Sequence, residues 1–423
     1  MPDLLAIPGR YRFRLRPVSS RRALVLLGCS VAVFCLVRAL SPHRILGDLM
    51  VYRAEGSALR QGLDLYGPLP GVRGAATYPT FAALAFVALT LVPVSALQAL
   101  SMTINLLLLL FVCHASCNLL GVRGRRAVVT GCTAAAFALW SEPVLTTFDY
   151  GQINLLLLSL VLFDFTRPPD SRLRGIGTGL ATAMKVTPGI LIVYLVLTGR
   201  WRAGVTAVLT VGVSVAISAL TTGRDTWLFW TRYLFDWNRV GRIGIIANQS
   251  VRGLVMRIEH TRAVHPAGLI TALLAVIAAV GLVCAVRAYR ALGDEWGLPA
   301  AAVTGLLVSP VSWTHHWVWC VPIGLLLWFR ARRWLALTAA VFCSWVVWLF
   351  PHVRTAELYF PPVVAGLSGW YVYFGLWFLG FTAWRVRQAR LGASDPGQPP
   401  PPPLVPRPAM RLIVDARTTA PKR

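Results

Sequence analysis

The chain has 423 residues, of which 56% are hydrophobic and only 13% are charged, and its formal net charge is +25. A soluble protein of this length needs roughly a quarter of its residues charged to cover its surface, so the composition excludes an ordinary soluble enzyme. Only two of the 41 cationic residues are lysines, Lys185 and Lys422.

Apolar segments recur along the whole chain and predict an all-α polytopic membrane protein. A hydrocarbon core about 30 Å thick needs about 20 residues of apolar helix. In chain order the candidate spans are residues 22–40, 80–94, 97–120, 127–140, 153–165, 175–184, 189–197, 203–220, 267–286, 297–308, 317–328, 334–350 and 366–384. Several are short, which indicates tilted, broken or re-entrant helices. We interpret residues 80–94 as re-entrant or fused to the next span, which leaves about 12 spans.

Arginine clusters mark one side of the membrane. They precede the first span, recur on alternate later connections and continue in the tail after Trp384. By the positive-inside rule this side is cytoplasmic. We therefore predict a basic cytoplasmic segment at 1–21, a membrane domain at 22–386 and a disordered Pro- and Arg-rich cytoplasmic tail at 387–423. No nucleic-acid partner is expected, because no soluble basic domain is present to bind one.

Polar residues gather on the opposite, extracytoplasmic face. Two long connections, 41–79 and 221–265, lie on this side and carry acids, aromatic residues and arginines. Shorter outer connections add polar motifs at 142–152, 185–188 and 309–317. Because ionisable groups at membrane depth are costly, their convergence predicts a functional site at this face.

Each candidate on this face also has a structural interpretation. Asp48 suits either a functional acid or a cap for an interfacial helix. Asp149 and Gln152 have the spacing of a capping box that would begin the next helix at Gly151, or they take part in binding. Lys185 lies in an apolar run, where it either snorkels to the interface or meets an anion in a cavity.

Histidines and an arginine complete the candidates. His315 and His316 are adjacent, so on a helix they point about 100° apart and cannot chelate one ion together. A hydrogen-bonding or proton-carrying role is therefore favoured over zinc. Arg252 follows Asn248 and Gln249 in a polar cluster suited to a phosphate. The sequence predicts no metal site, no cofactor and no glycine-rich nucleotide loop.

Five motifs occur in order along the chain. They are Gly47-Asp48-x-x-x-Tyr52 before Gly62-x-x-x-Tyr66; Thr77-Tyr78-Pro79; Phe148-Asp149-Tyr150-Gly151-Gln152-Ile153-Asn154; Gly179-Leu180-Ala181-x-x-x-Lys185-x-Thr187-Pro188; and Ser309-Pro310-x-Ser312-Trp313-x-His315-His316-x-x-Trp319. Over residues 44–319 the chain resembles the polyprenol-phosphate-mannose-dependent α-(1,2)-mannosyltransferases of glycosyltransferase family 87 (domain of unknown function 2029), which are GT-C-type membrane enzymes. Thr80 stands where a second proline is more usual, a minor departure.

The resemblance implies a GT-C-type bundle that acts as a hexosyltransferase at the outer face of the plasma membrane. Its donor would be polyprenyl-phosphate-mannose and its acceptor a glycolipid or lipoglycan, with inversion and an α-(1,2) linkage. Asp48 matches the acidic residue that acts as general base in such enzymes. The candidates for stabilising the leaving phosphate are, in order of preference, Lys185, His315 or His316, and Arg252.

Other residues on the outer face are assigned to substrate binding. They are Tyr52, Tyr78, Asp149, Gln152, Asn154, Asn248, Gln249, Arg252 and Trp313. Two alternative functions stay open: a polyprenyl-phosphate-arabinose-dependent arabinofuranosyltransferase, which shares the lipid phosphate, and a lipid-linked-sugar flippase. A flippase would favour inverted repeats and polar residues at the bilayer midplane. The acceptor and the oligomeric state also stay open.

Overall fold

A computed structural model describes residues 19–40, 46–72, 74–260, 267–351 and 356–393. Almost all of the predicted basic segment and all of the tail from 394 onward lie outside these ranges. In the described residues every regular element is helical, apart from one isolated antiparallel bridge between Asn248 and Trp313. The all-α prediction is confirmed, and the fold fits a polytopic membrane protein.

The described chain forms 17 α-helices, several of them extended or joined by short 3₁₀ turns. They are α1 (Ser20–Ala39), α2 (Gly47–Arg60), α3 (Thr80–Phe86), α4 (Val94–Leu119), α5 (Gly124–Ala138), α6 (Glu142–Tyr150), α7 (Asn154–Thr166), α8 (Ile176–Met184), α9 (Ile190–Leu197), α10 (Trp201–Thr231), α11 (Val251–Ile258), α12 (Ala267–Leu292), α13 (Asp294–Val308), α14 (Cys320–Arg330), α15 (Leu335–Cys343), α16 (Pro362–Leu367) and α17 (Trp370–Ala393). A 3₁₀ turn at Thr187–Gly189 comes shortly after Lys185, and another at Thr314–Trp319 contains both candidate histidines.

Among the described residues, four segments are long and apolar enough to cross a membrane by themselves. They are Ser20–Ala39, Val94–Leu119, Trp201–Phe235 and Gly268–Leu292. The pair α5 and α6, bent by 76°, is a fifth if it is counted as one span. Other predicted spans form shorter apolar helices, such as Thr80–Leu91, Asn154–Thr166 and Thr187–Leu197. The figure of about 12 spans therefore stays a prediction.

The predicted outer connections contain more helix than the sequence indicated. The connection predicted to begin at residue 221 is helical at its start, because α10 continues beyond a kink at Thr222 to Thr231. Thr222 departs from helical geometry, yet its hydroxyl donates to the carbonyl of Ser218, and the helix resumes beyond it. Polar residues at this point mark a kink rather than an end. In the first connection, α2 carries Asp48 on a partly buried amphipathic helix.

Close helix packing positions the polar residues of the bundle. α8 packs against α7 and α10, and a Cβ added to Gly179 would lie 2.6 Å from the carbonyl oxygen of Ala207. Only glycine allows this approach, which fixes α8 and hence Lys185 at its C-terminal end. Large apolar side chains such as Leu220 and Leu269 lie exposed on the outside of the bundle, as expected for residues in contact with lipid.

Candidate active site

The site begins at the first turn of α2. Asp48 does not cap this helix, since the N-cap residue is Leu46 and makes no side-chain capping bond. Instead, Oδ2 of Asp48 accepts a hydrogen bond from Nε2 of Gln152 at 2.5 Å. The side chain is half-buried, so the carboxylate has one fixed partner and remains partly accessible.

A break between α6 and α7 brings Gln152 to Asp48. Gly151 ends α6 in the left-handed conformation, with φ of 67°. A Cβ at this position would lie 2.7 Å from Cβ of Leu49, the neighbour of Asp48. Glycine is therefore required both for the turn and for the approach to α2. The predicted capping box is wrong: Asp149 lies in the last turn of α6, and α7 begins only at Asn154.

Two buried tyrosines fix the orientation of Gln152. Tyr52 donates its hydroxyl proton to Oε1 of Gln152 at 2.8 Å, and its oxygen lies 3.0 Å from that of Tyr78. Tyr66 donates in turn to the backbone carbonyl of Tyr78 at 2.9 Å. Because the amide oxygen of Gln152 accepts from Tyr52, its nitrogen is directed at Asp48.

Lys185 forms the cationic end of the same network. It follows α8 in extended backbone conformation, and its Nζ donates to Oδ1 of Asn154 at 3.2 Å and to the hydroxyl of Tyr78 at 3.4 Å. Nζ also lies 2.7 Å from Nε2 of His316. Among the ion pairs of the described residues none involves Lys185. Its hydrogen-bond partners are neutral, so its charge is available to an anion.

The two histidines have different surroundings. Lys185 offers only donors, so Nε2 of His316 accepts from it, while the ring also hydrogen bonds to the backbone of Val311. Burial, with the nearby Lys185 charge, holds the pKa of His316 well below its ordinary value, which keeps the ring neutral. His315 packs edge-on against Tyr150, and its Nε2 is buried without a hydrogen-bond partner in the described structure. His316 therefore contacts the cation, and His315 does not.

Burial brings the pKa values of the residues at the two ends of the network closer together. Asp48 and Lys185 lie outside the described helices that are long and apolar enough to cross a membrane. Desolvation raises the pKa of Asp48, opposed by the Gln152 hydrogen bond and by the charge of Lys185. Desolvation lowers the pKa of Lys185 to about 7, opposed by the charge of Asp48. The arrangement can accept a proton at one end and stabilise an anion at the other.

The structure gives Asn248 and Gln249 structural roles. The amide of Asn248 donates to the carbonyls of Ile243 and Pro310 and accepts from the backbone nitrogen of Ser312. Gln249 donates to the carbonyls of Ile246 and Ser368 and accepts from the backbone of Tyr371. Their polar atoms hold loops together, and the assignment of both residues to substrate binding stays a prediction.

Two further residues that the sequence assigned to substrate binding lie outside the Asp48–Lys185 network. Trp313 forms the β-bridge with Asn248, directly before the 3₁₀ turn that carries His316. Arg252 is buried on α11 in the helix capped by Ser250. In the described contacts neither residue hydrogen bonds to the Asp48–Lys185 network.

Two buried groups were missed by the sequence interpretation. Arg38, near the end of α1, forms a buried ion pair with Asp149, which gives Asp149 a structural partner. Glu142 is fully buried and accepts from Trp348 and Tyr371, each at 2.7 Å. In the sequence, both Arg38 and Glu142 stand out as charged residues within or beside an apolar segment, where a charge requires a partner.

Comparison with known proteins identifies related sequences. Residues 76–310 match glycosyltransferase family 87, a range that begins after Asp48 and ends before His316. A protein of Mycobacterium tuberculosis named polyprenol-phosphate-mannose-dependent alpha-(1-2)-phosphatidylinositol pentamannoside mannosyltransferase is 36% identical over 323 residues, which cover 73% of this chain and 72% of that protein.

Two further relatives have similar names. A polyprenol-phosphate-mannose-dependent alpha-(1-2)-phosphatidylinositol mannoside mannosyltransferase of Mycobacterium tuberculosis is 31% identical over 371 residues, covering 79% of this chain and 83% of that protein. A pentamannoside mannosyltransferase of Mycolicibacterium smegmatis is 35% identical over 315 residues, covering 70% and 72%. No solved structure matches the chain.

Proposed function

The chain belongs to glycosyltransferase family 87 and is a membrane hexosyltransferase, and from this premise we propose that it transfers mannose from polyprenyl-phosphate-mannose to a phosphatidylinositol mannoside. The product linkage would be α-(1,2), formed with inversion from a β-linked donor. The names of the relatives support the donor and the class of acceptor.

Asp48 is the proposed general base. Its carboxylate accepts the proton of the acceptor hydroxyl while that oxygen attacks the anomeric carbon of mannose, and the bond between this carbon and the phosphate oxygen breaks on the opposite side. Gln152 hydrogen bonds to one carboxylate oxygen and so limits the orientations that the base adopts. The proton then passes from Asp48 to solvent, which returns the carboxylate to its starting state.

Lys185 is the proposed partner of the leaving phosphate. The polyprenyl phosphate released by the reaction gains negative charge as the glycosidic bond breaks. A cation held in place before the reaction stabilises this charge without reorganising. Asn154 and His316 hold the ammonium from two sides, and His316 acts through Lys185 as a positioning residue.

One observation carries the proposal: a hydrogen-bonded network joins the acid to the cation. From Asp48 it passes through Gln152, then Tyr78, then Lys185, over contacts of 2.5, 3.4 and 3.4 Å. A glycosyl transfer to a hydroxyl needs a proton acceptor and an anion stabiliser on opposite sides of one sugar carbon. The network supplies both within one small region.

The proposed location is the extracytoplasmic face of the plasma membrane. The arginine clusters between the apolar segments support this orientation by the positive-inside rule. Asp48 and Lys185 lie in connections on the opposite side from those clusters in the predicted topology. The donor would approach from the outer leaflet.

The test uses purified protein in nanodiscs. Radiolabelled polyprenyl-phosphate-mannose and polyprenyl-phosphate-arabinose are offered separately with phosphatidylinositol mannosides as acceptors, and the products are analysed for linkage. We expect mannose transfer and an α-(1,2) bond. Transfer of arabinose alone would replace the proposed donor, and movement of intact donor across the bilayer without transfer would favour a flippase.

A further inference from the structure

The acid proposed as the base lies just after a short connection between two helices. α1 ends at Ala39, and α2 begins at Gly47 with Asp48 in its first turn. Within this connection, residues 41–45 lie outside the described ranges. The position of Asp48 depends on what holds the end of α1 as well as on what holds α2.

One face of α1 docks against α5 and α6. Ser30 donates to the carbonyl of Ala136 at 2.8 Å and accepts from Nε1 of Trp140 at 2.9 Å. One turn further along α1, Phe34 is buried and packs edge-on against Trp140 and Phe148. These contacts fix the rotation of α1 and direct the next residue of this face, four positions later, toward the end of α6.

Arg38 is that residue, and its guanidinium contacts the end of α6. Its Cζ lies over the ring of Phe34, 5.4 Å from the ring centre, and its Nη1 forms the ion pair with Asp149. Only 10% of the arginine side chain and 4% of the aspartate side chain are exposed. Because removing one partner of such a pair leaves an uncompensated buried charge, Arg38 fastens the end of α1 to the last turn of α6.

The end of α6 therefore holds both sides of the connection. Asp149 binds Arg38 before the connection, and Gln152, three residues later, binds Asp48 after it. Between these two contacts lies the left-handed turn at Gly151, which leaves no room for a side chain against α2. A shift of α6 against α1 would move Gln152 with respect to the carboxylate that it orients.

We propose that Arg38 is a positioning residue for the base, and that its ion pair with Asp149 sets the approach of Gln152 to Asp48. The inference rests on the proposed function, because it assigns a role in that reaction. In the described contacts Arg38 makes no hydrogen bond to Asp48, so it acts through α6. A purely structural ion pair would support the fold without changing the hydrogen bond on the carboxylate.

The acid limb of the pH profile distinguishes these two roles. Desolvation raises the pKa of Asp48, whereas the hydrogen bond from Gln152 and the charge of Lys185 lower it. Loss of the hydrogen bond therefore raises this pKa, and the acid limb of kcat/KM moves to higher pH. Tyr52 and Tyr78 also contact Gln152, but burial raises their pKa values and keeps them neutral in this range.

The test combines Arg38→Met with Gln152→Leu in a double-mutant cycle. The kcat and the pH profile of mannose transfer are measured in nanodiscs for the wild type, each single variant and the double variant. We expect Arg38→Met to lower kcat about tenfold and to move the acid limb in the same direction as Gln152→Leu. The double variant should match Gln152→Leu alone, because both changes act through one hydrogen bond.

Control and rescue variants keep the test interpretable. Arg22→Met, at the exposed start of the same helix, should keep the wild-type kcat and acid limb. Arg38→Lys retains the charge and should recover part of the lost activity.

A further variant covers the case in which Arg38→Met fails to fold. Arg38→Met/Asp149→Leu removes both charges, and replacing a buried ion pair by apolar residues is often neutral for stability. We expect this protein to fold, and to combine the lower kcat and the shifted acid limb with a KM near that of the wild type.

Three outcomes would overturn the inference. A folded Arg38→Met protein with the wild-type kcat and acid limb would leave the ion pair a purely structural role. A further shift of the acid limb when Arg38→Met is added to Gln152→Leu would mean that the charge of Arg38 acts on Asp48 directly. A raised KM with an unchanged acid limb would assign the pair to substrate binding. Failure of the wild-type protein to transfer mannose would instead overturn the proposed function.

Discussion

Two buried polar regions of the molecule look alike in composition and differ in what their charges and amides do. The network from Asp48 to Lys185 has an acid at one end and a cation at the other, and the hydrogen-bond partners between them are neutral. The region around Asn248 and Gln249 uses its amides to bind backbone groups of neighbouring loops.

This difference separates the proposed catalytic region from a region that supports loops. A buried amide whose donors and acceptors all meet backbone partners stabilises a loop, because leaving those partners unpaired would be costly. A buried cation surrounded only by neutral acceptors stores an unneutralised charge, which an anionic substrate can complement. The segment at 247–249 also pairs with 312–314, so the supporting region holds the turn that positions His316.

Removing the base should have the largest effect. Asp48→Asn keeps the size of the side chain and removes the proton acceptor, so we expect kcat to fall by about 10²- to 10⁴-fold. Mannose transfer by purified variants measures this. Asp64→Asn is the control, because Asp64 is exposed and Asn retains an oxygen to accept from the backbone of Tyr66. Transfer at the wild-type rate by Asp48→Asn would remove Asp48 from the mechanism.

Removing the cation should have a somewhat smaller effect. Lys185→Met leaves an unbranched apolar side chain and no charge for the leaving phosphate, and we expect kcat to fall by about 10²- to 10³-fold. Lys185→Arg retains the charge and should recover part of the activity. The same kinetics in Lys185→Met and wild type would place the phosphate elsewhere.

Each region contains one buried glutamine, and substituting each of them tests the difference between the regions directly. Gln152→Leu removes the donor to Asp48, and because a hydrogen bond to a charged group contributes about 1.5–3 kcal/mol, we expect transfer to fall roughly 10- to 100-fold. Steady-state kinetics of folded protein measures this loss.

Gln249→Leu is the matched control in the supporting region. It removes three hydrogen bonds to backbone groups, so we expect a lower Tm in detergent and a kcat near that of the wild type for the protein that stays folded. A selective loss of kcat in Gln249→Leu with an unchanged Tm would erase the distinction between the two regions.

The pH dependence should report both ends of the network. Asp48 must be deprotonated, so kcat/KM should fall as the pH decreases through its raised pKa. Lys185 must be protonated, and its pKa is lowered to about 7, so kcat/KM should also fall as the pH rises above that value. Lys185→Arg should move the alkaline limb to higher pH, because arginine stays charged. If the alkaline limb of Lys185→Arg lies at the same pH as that of the wild type, a group other than Lys185 is responsible for it.

The sequence was sufficient to predict the helical class, and it singled out the residues at both ends of the hydrogen-bonded network. Asp48 and Lys185 stand out because charges are rare in apolar surroundings, and His316 lies in a motif at the same face. The link between them depends on Gly151, whose turn brings Gln152 against α2. That tertiary approach leaves no periodic signal in the sequence.

The structural features that the sequence did not indicate have equally local causes. Asn248 and Gln249 lie in a cluster with the composition of a phosphate site, and only the structure reveals that backbone groups already occupy their amides. The extension of α10 past residue 220 was missed because threonine hydroxyls bond back into the helix and replace the expected stop signal. The ion pair between Arg38 and Asp149 joins residues more than 100 positions apart, which no local pattern indicates.

Donor occupancy and mannose transfer measured on the same nanodisc samples of Asp48→Asn and Lys185→Met test the central claim most directly. We expect Asp48→Asn to retain bound donor without transferring mannose, whereas Lys185→Met should lose much of both. Transfer by Asp48→Asn, or full donor occupancy and full transfer by Lys185→Met, would contradict the assigned roles of the base and the cation.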